Sequence, residues 1–213
     1  MKTFVLGLLL IFHFTLIYSY CQTPLKFGAN LGISSANQNY NNISAARSGR
    51  FDSKPGFRFG LFGEYITSQN LSFMGEAAYM QNGTKDKDIT VIRKANNALG
   101  YEEIGTLDLR YDYISLSALA KGRYEFSSLT PYVFAGPVLN YLVGGNEQSD
   151  QNRDMYNKFV LGYSAAIGTE INMQLPFILT AEFRYNHDLT NAFKDDYFTI
   201  KSYSFDFLVG VKF

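Results

Sequence analysis

The sequence predicts an all-β fold: an eight-stranded antiparallel up-and-down transmembrane β-barrel. Three observations predict it. Apolar side chains recur at every second position in eight separate stretches. The segments between those stretches alternate between short and long. The aromatic content is high, with 19 Phe and 16 Tyr but no Trp.

The first predicted strand is Leu25 to Ser34. Leu25, Phe27, Ala29, Leu31 and Ile33 share one face; Lys26, Asn30 and Ser34 share the other. The second, Gly56 to Thr67, sets Phe57, Phe59, Leu61 and Tyr65 against Arg58 and Glu64. The third, Leu71 to Asn82, sets Leu71, Phe73, Ala77 and Tyr79 against Ser72, Glu76 and Asn82. The fourth, Tyr111 to Tyr124, sets Ile114, Leu116, Ala118, Ala120 and Tyr124 against Ser115, Ser117, Lys121 and Arg123. The fifth, Pro131 to Gly144, places Val133, Ala135, Leu139 and Tyr141 outside and Gly136 and Asn140 inside. Pro137 cannot donate to a ladder there, which predicts a bulge. The sixth, Lys158 to Asn172, opposes Phe159, Leu161, Tyr163, Ala165, Ile167 and Ile171 to Ser164 and Glu170. The seventh, Phe177 to Asn186, opposes Phe177, Leu179, Ala181, Phe183 and Tyr185 to Thr180, Glu182, Arg184 and Asn186. The eighth is the C-terminal stretch YSFDFLVGVKF, in which every odd position from Tyr203 to Phe213 is apolar or aromatic.

Residues 68–70, 125–130 and 172–176 are tight connections; 35–55, 83–110, 145–157 and 187–202 are long and polar. Each strand reaches the roughly 9 to 11 residues that a tilted strand needs to cross hydrocarbon. A closed sheet pairs every backbone N–H and C=O internally, which the water-free lipid core demands. The aromatic surplus then falls at two levels. Phe57, Tyr79, Tyr141, Phe159, Tyr185 and Tyr203 lie near the long-loop ends, and Tyr65, Tyr124, Phe177 and Phe213 near the short-turn ends. A water-soluble sandwich would also alternate; the leader, the loop asymmetry and the terminal Phe213 select the membrane.

Residues 1–21 read as a secretory signal peptide: a basic start at Lys2, an apolar run from Phe4 to Ile17, then Ser19 and Cys21 at the cleavage-recognition positions. Residues 22–213 form the barrel domain on this reading. Lipidation at Cys21 is the rival, and it meets a large Tyr20 where a small residue is wanted. After residue 22 no segment approaches the roughly 18 to 20 apolar residues of a membrane helix. Nineteen basic and nineteen acidic residues balance, which argues against nucleic acid as a partner.

The inward rows carry Arg58, Glu64, Glu76, Lys121, Arg123, Glu170, Glu182, Arg184 and Asp206, with Lys26 and Lys212 at their ends. An eight-stranded barrel is only wide enough for side chains to fill. These charges therefore read as an internal paired network, since an isolated buried charge is expensive. In the loops, Asp86 to Lys94 and Gly105 to Asp112 read as extensions of the third and fourth strands above the membrane, a ribbon able to pair with a protein partner.

The stretches LKFGANLGIS, GFRFGLFGEY, LSFMGEAAYMQNG, TPYVFAGPVLNYLVGG and AEFRYNHDLTNAF together resemble the PorT-type outer-membrane β-barrel proteins, common in Bacteroidetes. The resemblance spans the mature chain and rests on strand patterning plus the segment Pro131 to Pro137. It implies a barrel in the outer membrane of a Gram-negative bacterium, with membrane lipid around it and a structural, interaction or secretion-accessory role. It also implies that Phe213 is the assembly signal read by the barrel-assembly machinery. Surface binding or adhesion through the long loops is the alternative.

Arg184 to Asn191 offers the one catalytic candidate, His187 with Thr190; a His beside a hydroxyl can activate it for attack on an ester. The segment resembles the outer-membrane lipid A deacylases, but the hydroxyl is one residue out of step and Thr190 stands where that pattern has serine. The reading is therefore non-enzymatic. His187 is the one histidine after the leader, so the sequence indicates no zinc site, and no cofactor motif is present. Glu102–Glu103 and Asp195–Asp196 read as solvated loop charge rather than calcium ligands.

Overall fold

The computed structural model describes residues 24–42, 48–50, 52–93, 101–146, 149, 153–173, 175–194 and 198–213. The predicted leader lies outside them. Nine strands run β1 (Leu25–Asn42), β2 (Ser48–Arg50), β3 (Asp52–Ile66), β4 (Leu71–Arg93), β5 (Tyr101–Arg123), β6 (Leu129–Gly145), β7 (Phe159–Ile171), β8 (Ile178–Asp188) and β9 (Phe198–Lys212). β1 pairs antiparallel with β3, each strand from β3 on pairs antiparallel with the next, and β1 also pairs with β9, which closes the sheet. The three-residue β2 pairs with β1 beyond the reach of β3, so the barrel has eight staves.

The register fixes the barrel's shape. A circuit of paired residues runs Leu25, Tyr65, Phe73, Ala120, Ala135, Ala165, Tyr185, Phe205 and returns to β1 at Ser35. The path climbs from position 25 to position 35. Over eight strands that stagger corresponds to a strand tilt of about 40° at ~3.3 Å rise and ~4.8 Å spacing.

Alternation sorts the side chains as the pattern predicts, but inside-out relative to a soluble protein. Leu31, Ile33, Leu61, Phe73, Leu116, Val133, Ile167, Phe183 and Phe207 face outward and are exposed, Ile33 by 68 %. Arg58, Glu64, Arg184 and Asp206 are among the largest fully buried side chains. Such an apolar belt is stable only against lipid. Rings pair at both levels of the wall: Phe57 with Tyr79 at 5.4 Å, Tyr141 with Phe159 at 4.9 Å, and Phe177 with Phe213 at 6.4 Å.

Three differences from the sequence reading have physical causes. First, β1 runs well beyond its predicted end, and β5 begins at Tyr101, ahead of the Gly105 expected for the ribbon that β4 and β5 form above the membrane as the sequence predicts. The β4–β5 ladder continues from Asp86↔Leu107 to Arg93↔Tyr101, past a bulge between Asp86 and Ile89. Above the membrane both faces of a ribbon meet water, so the period-two apolar signal fades while backbone pairing persists. Second, no bulge occurs at Pro137. That residue pairs with Tyr163, and the β5–β6 register is the same on both sides of it, from Ser117↔Val138 to Ala120↔Ala135. The missing N–H costs rungs opposite Ala118 and Leu119 without inserting a residue. The bulge sits higher, where Tyr113↔Leu142 gives way to Asp112↔Gly144. Third, the lumen is not uniformly polar. Phe62, Met74, Leu119, Tyr132, Phe134 and Ala166 form a buried apolar cluster within it.

Candidate functional site: a layered lumen beneath an aromatic plug

Strand alternation points at least one charged residue inward from almost every stave. Their heights sort them into two layers. In the short-turn half, Lys121 and Lys212 each lie 3.2 Å from Glu64 Oε2 and 2.5 Å from Glu170 Oε1. Ser72 Oγ donates to Glu64 Oε1 at 2.6 Å. Two ammoniums thus bridge two carboxylates contributed by β3, β5, β7 and β9. Arg123 stands at the edge, 3.9 Å from Glu64, with Nε donating to the Gln69 carbonyl.

Nearer mid-barrel, Arg184 clamps Glu76 through two parallel bonds of 2.9 and 2.8 Å, while its Nε donates to Glu182 at 2.6 Å. Arg58 reaches Glu76 at 2.6 Å and Asp206 at 3.4 Å. Asn186 Nδ2 donates to Asp206 at 2.7 Å. The planar guanidinium of Arg184 suits such bidentate pairing, whereas Arg58 leaves its Nε without a hydrogen-bond partner. Tyr132 joins the layers. Its hydroxyl donates to Glu182 at 3.1 Å, and Lys121 Nζ lies 4.1 Å from its ring centroid. The ring passes over Gly168, where a Cβ would come within 2.5 Å of Tyr132 Cζ. Phe134 lies under the Arg184 guanidinium at 4.8 Å.

Above these layers the long-loop end of the lumen is stopped by apolar side chains. Met80, Tyr111, Tyr113, Leu142, Tyr156, Val160, Ala192 and Ile200 form one buried cluster with Phe193 against it. Two loops supply its lid. Tyr156 stacks at 4.5 Å on Tyr111 and edge-on at 5.5 Å to Phe193. Asn157 Nδ2 donates to the carbonyls of Asn191 and Phe193, and Lys194 Nζ to that of Asp154. The sequence reading treated both loops as solvated. Tyr156, Ala192 and Phe193, apolar residues inside polar runs, were the signal that could have shown otherwise.

His187 and Thr190 are placed apart in role. His187 is on the outer wall between Tyr163 and Tyr185, at 5.7 and 6.1 Å between ring centres. Thr190 Oγ1 accepts from the Leu161 N–H at 2.9 Å and also contacts the Leu161 carbonyl. Asp188 points into the lumen, to the opposite face from His187. No hydrogen bond joins His187 to Thr190 among the described residues. Asp195 and Asp196 lie outside the described residues, as do the side chains of Glu102 and Glu103. Among the described residues no group of three His, Cys, Asp or Glu side chains is placed to hold a metal. Phe213 ends the wall, its N–H donating to the Phe27 carbonyl at 2.8 Å.

A closed eight-stave barrel with an apolar belt, a charged interior and loops long at one end defines an outer-membrane β-barrel protein. The chain belongs to the outer membrane protein beta-barrel domain family, whose pattern matches residues 20–194. Among solved structures it is similar to the neisserial surface protein A, at 16 % identity and a TM-score of 0.54, covering 89 % of this chain and 96 % of that one. It is also similar to OprG of Pseudomonas aeruginosa, at 13 % identity and 0.49, covering 90 % and 97 %. A third likeness is to the attachment invasion locus protein Ail of Yersinia pestis, at 12 % and 0.42, covering 89 % and 99 %. No curated protein sequence matches the chain. The likeness to the neisserial surface protein A shows the fold, and the family places the protein in the outer membrane, its belt in contact with lipid.

Proposed function

We propose that this barrel acts by protein contact at its extracellular end rather than by catalysis or by open conduction. The observation that carries the reading is the β4–β5 ribbon. Each strand has 23 residues, about twice what crossing the bilayer requires. β3 pairs with β4 only as far as Lys85, and β6 pairs with β5 only from Tyr111 downward. Beyond those points each ribbon strand has the other as its one strand partner among the described residues. Its outer edges therefore present backbone donors and acceptors to which an extended segment of another protein can add. The lumen supports the same reading, since the charges of its two layers are spent on each other and its mouth is stopped by the Tyr156 cluster.

The PorT-type resemblance gives this contact a direction, toward components of a secretion apparatus in the same envelope. An adhesive contact with a foreign surface uses the same ribbon. Removal of residues 1–21 and recognition of Phe213 by the assembly machinery complete the proposal. The test is deletion of residues 87–106 with a two-residue turn in their place. The barrel should still insert and show heat-dependent gel mobility, while photo-crosslinks from ribbon positions to protein partners in intact cells disappear. Equal crosslinking of partners elsewhere on the shortened barrel would defeat the ribbon's role. Large steady conductance of the wild type in planar bilayers would defeat the filled lumen.

A further inference from the structure

Between the Arg184 layer and the Tyr156 plug lies a partly enclosed cavity of about 10 Å³. That is room for one water-sized body. Met80 and Val138 share its lining with oxygen-bearing side chains: Asn82 from β4, Asn140 from β6, Asn186 and Asp188 from β8, and Ser202 and Ser204 from β9. Asp188 is buried, with 6 % exposure. Its two oxygens take bonds from Asn140 Nδ2 at 3.3 Å and from the Ser202 N–H at 3.1 Å. No cationic side chain is ion-paired with it among the described residues.

Two further oxygens at the same cavity have no donor. Asn82 Oδ1 and Asn186 Oδ1 are buried acceptors without a hydrogen-bond partner. The amide nitrogen of Asn186 is occupied by Ser204 Oγ and Asp206, which leaves its carbonyl free for something else. Among the described residues, the buried carboxylates are Glu64, Glu76, Glu170, Glu182, Asp188 and Asp206; the buried cations are Arg58, Lys121, Arg184 and Lys212. Arg123 and Lys26, half-buried at the rim, make the totals equal, yet none of these cations is ion-paired with Asp188.

A single carboxylate, two orphaned amide oxygens and neighbouring hydroxyls form the donor set of a hard, oxygen-preferring cation. We propose that this cavity binds one dehydrated hard cation, of the Na⁺ or Ca²⁺ class, coordinated by Asp188, Asn82 and Asn186. Mg²⁺ fits poorly, because it holds its own waters and demands a small octahedron. The ion would tie β4 and β8 together just beneath the plug and supply the counter-charge that Asp188 lacks. The site is independent of any partner at the ribbon.

The full mature chain is refolded into detergent in three media of equal ionic strength, with N-methylglucamine, Na⁺ or Ca²⁺ as the principal cation. The midpoint of the heat-dependent gel-mobility change is then read. The wild type should melt several degrees higher in Na⁺ or in Ca²⁺ than in N-methylglucamine, and the two inorganic arms identify the ion. Asp188→Asn should abolish the difference. Asn82→Ala, which alters no charge, should shift the half-saturating ion concentration at least tenfold and serves if Asp188→Asn fails to fold. Tb³⁺ luminescence sensitised by tyrosine gives a second reading, expected to fall in both variants. Identical midpoints in the three media would overturn the proposal. So would an Asp188→Asn protein stabilised equally in all of them, which would mean that a proton, not a metal ion, neutralises the carboxyl group.

Discussion

Substitution of Glu76 is the sharpest test of the charged lumen. Its carboxylate accepts three bonds from two guanidiniums, at 2.6, 2.8 and 2.9 Å, and both members of each pair are fully enclosed. In Glu76→Ala, Arg184 keeps Glu182, but Arg58 keeps only Asp206 at 3.4 Å. Breaking a buried pair from one side costs about 3–5 kcal/mol, because a desolvated charge is left behind. Adding Arg58→Met removes the cation left with the weaker partner, while Asp206 keeps its bond from Asn186, and should recover a large part of that loss. The exposed pair Lys54–Asp108 is the control; its members are 17 % and 41 % exposed, and Asp108→Ala should cost below about 1 kcal/mol. The assay is urea unfolding of the barrel in lipid vesicles, followed by gel mobility. A Glu76→Ala barrel no less stable than Asp108→Ala, or one that Arg58→Met further destabilises, would refute the reasoning.

Three other substitutions probe the wall, the lumen and a turn. Leu116→Arg, at an outward position 56 % exposed, should destabilise the lipid-inserted barrel by about 2–4 kcal/mol if it sits near the bilayer midplane; a neutral effect would mean that water, not lipid, meets that face. Gly168→Ala should cost about 1–3 kcal/mol by pressing on the Tyr132 ring and on the Ala181 carbonyl, and in a Tyr132→Ala background the loss should shrink to the share due to the carbonyl, read from double-mutant unfolding curves. Ser127 holds a left-handed φ of 54° in the β5–β6 turn, so Ser127→Gly should raise the unfolding midpoint, by about 1 kcal/mol in stability.

The wall was readable because two phases coincide. A strand's side-chain period is two, and a membrane barrel has two chemically opposite faces, so Phe57, Phe59 and Leu61 or Phe205, Phe207 and Val209 declare the outside directly. The tight turns were readable for a similar reason, since they interrupt the pattern for only a few residues. What the pattern could not carry is height and reach. Glu64 and Glu76 look alike in sequence, yet one belongs to a lysine layer and the other to an arginine layer. Only the stagger around the barrel assigns them. Phe62, Phe134 and Leu208 sit on the polar parity yet are apolar, because the lumen needs packing between its charged layers. The plug was hidden because Tyr156 and Phe193 gain their apolar surroundings from two different loops. Asn82 and Asn186 were visible as inward residues, but nothing in the sequence marks their carbonyls as lacking donors.

The charged layers also bear on how the barrel closes. Glu64 and Lys212, like Arg58 and Asp206, are 148 residues apart in the chain, and each pair joins the first half of the barrel to the last strand. A slip of β9 by one residue would turn Lys212 and Asp206 into lipid and bring Phe207 and Val211 inside. A slip by two would keep the faces but displace Lys212 by about 6.6 Å along the wall, out of reach of Glu64. Hydrophobic alternation alone forbids the first error but tolerates the second. The ion pairs penalise the second as well, since each displaced charge would be left unpartnered in a dry interior. The lumen charges therefore select, among registers that all bury the backbone equally well, the one in which β1 and β9 meet at Ser34↔Asp206.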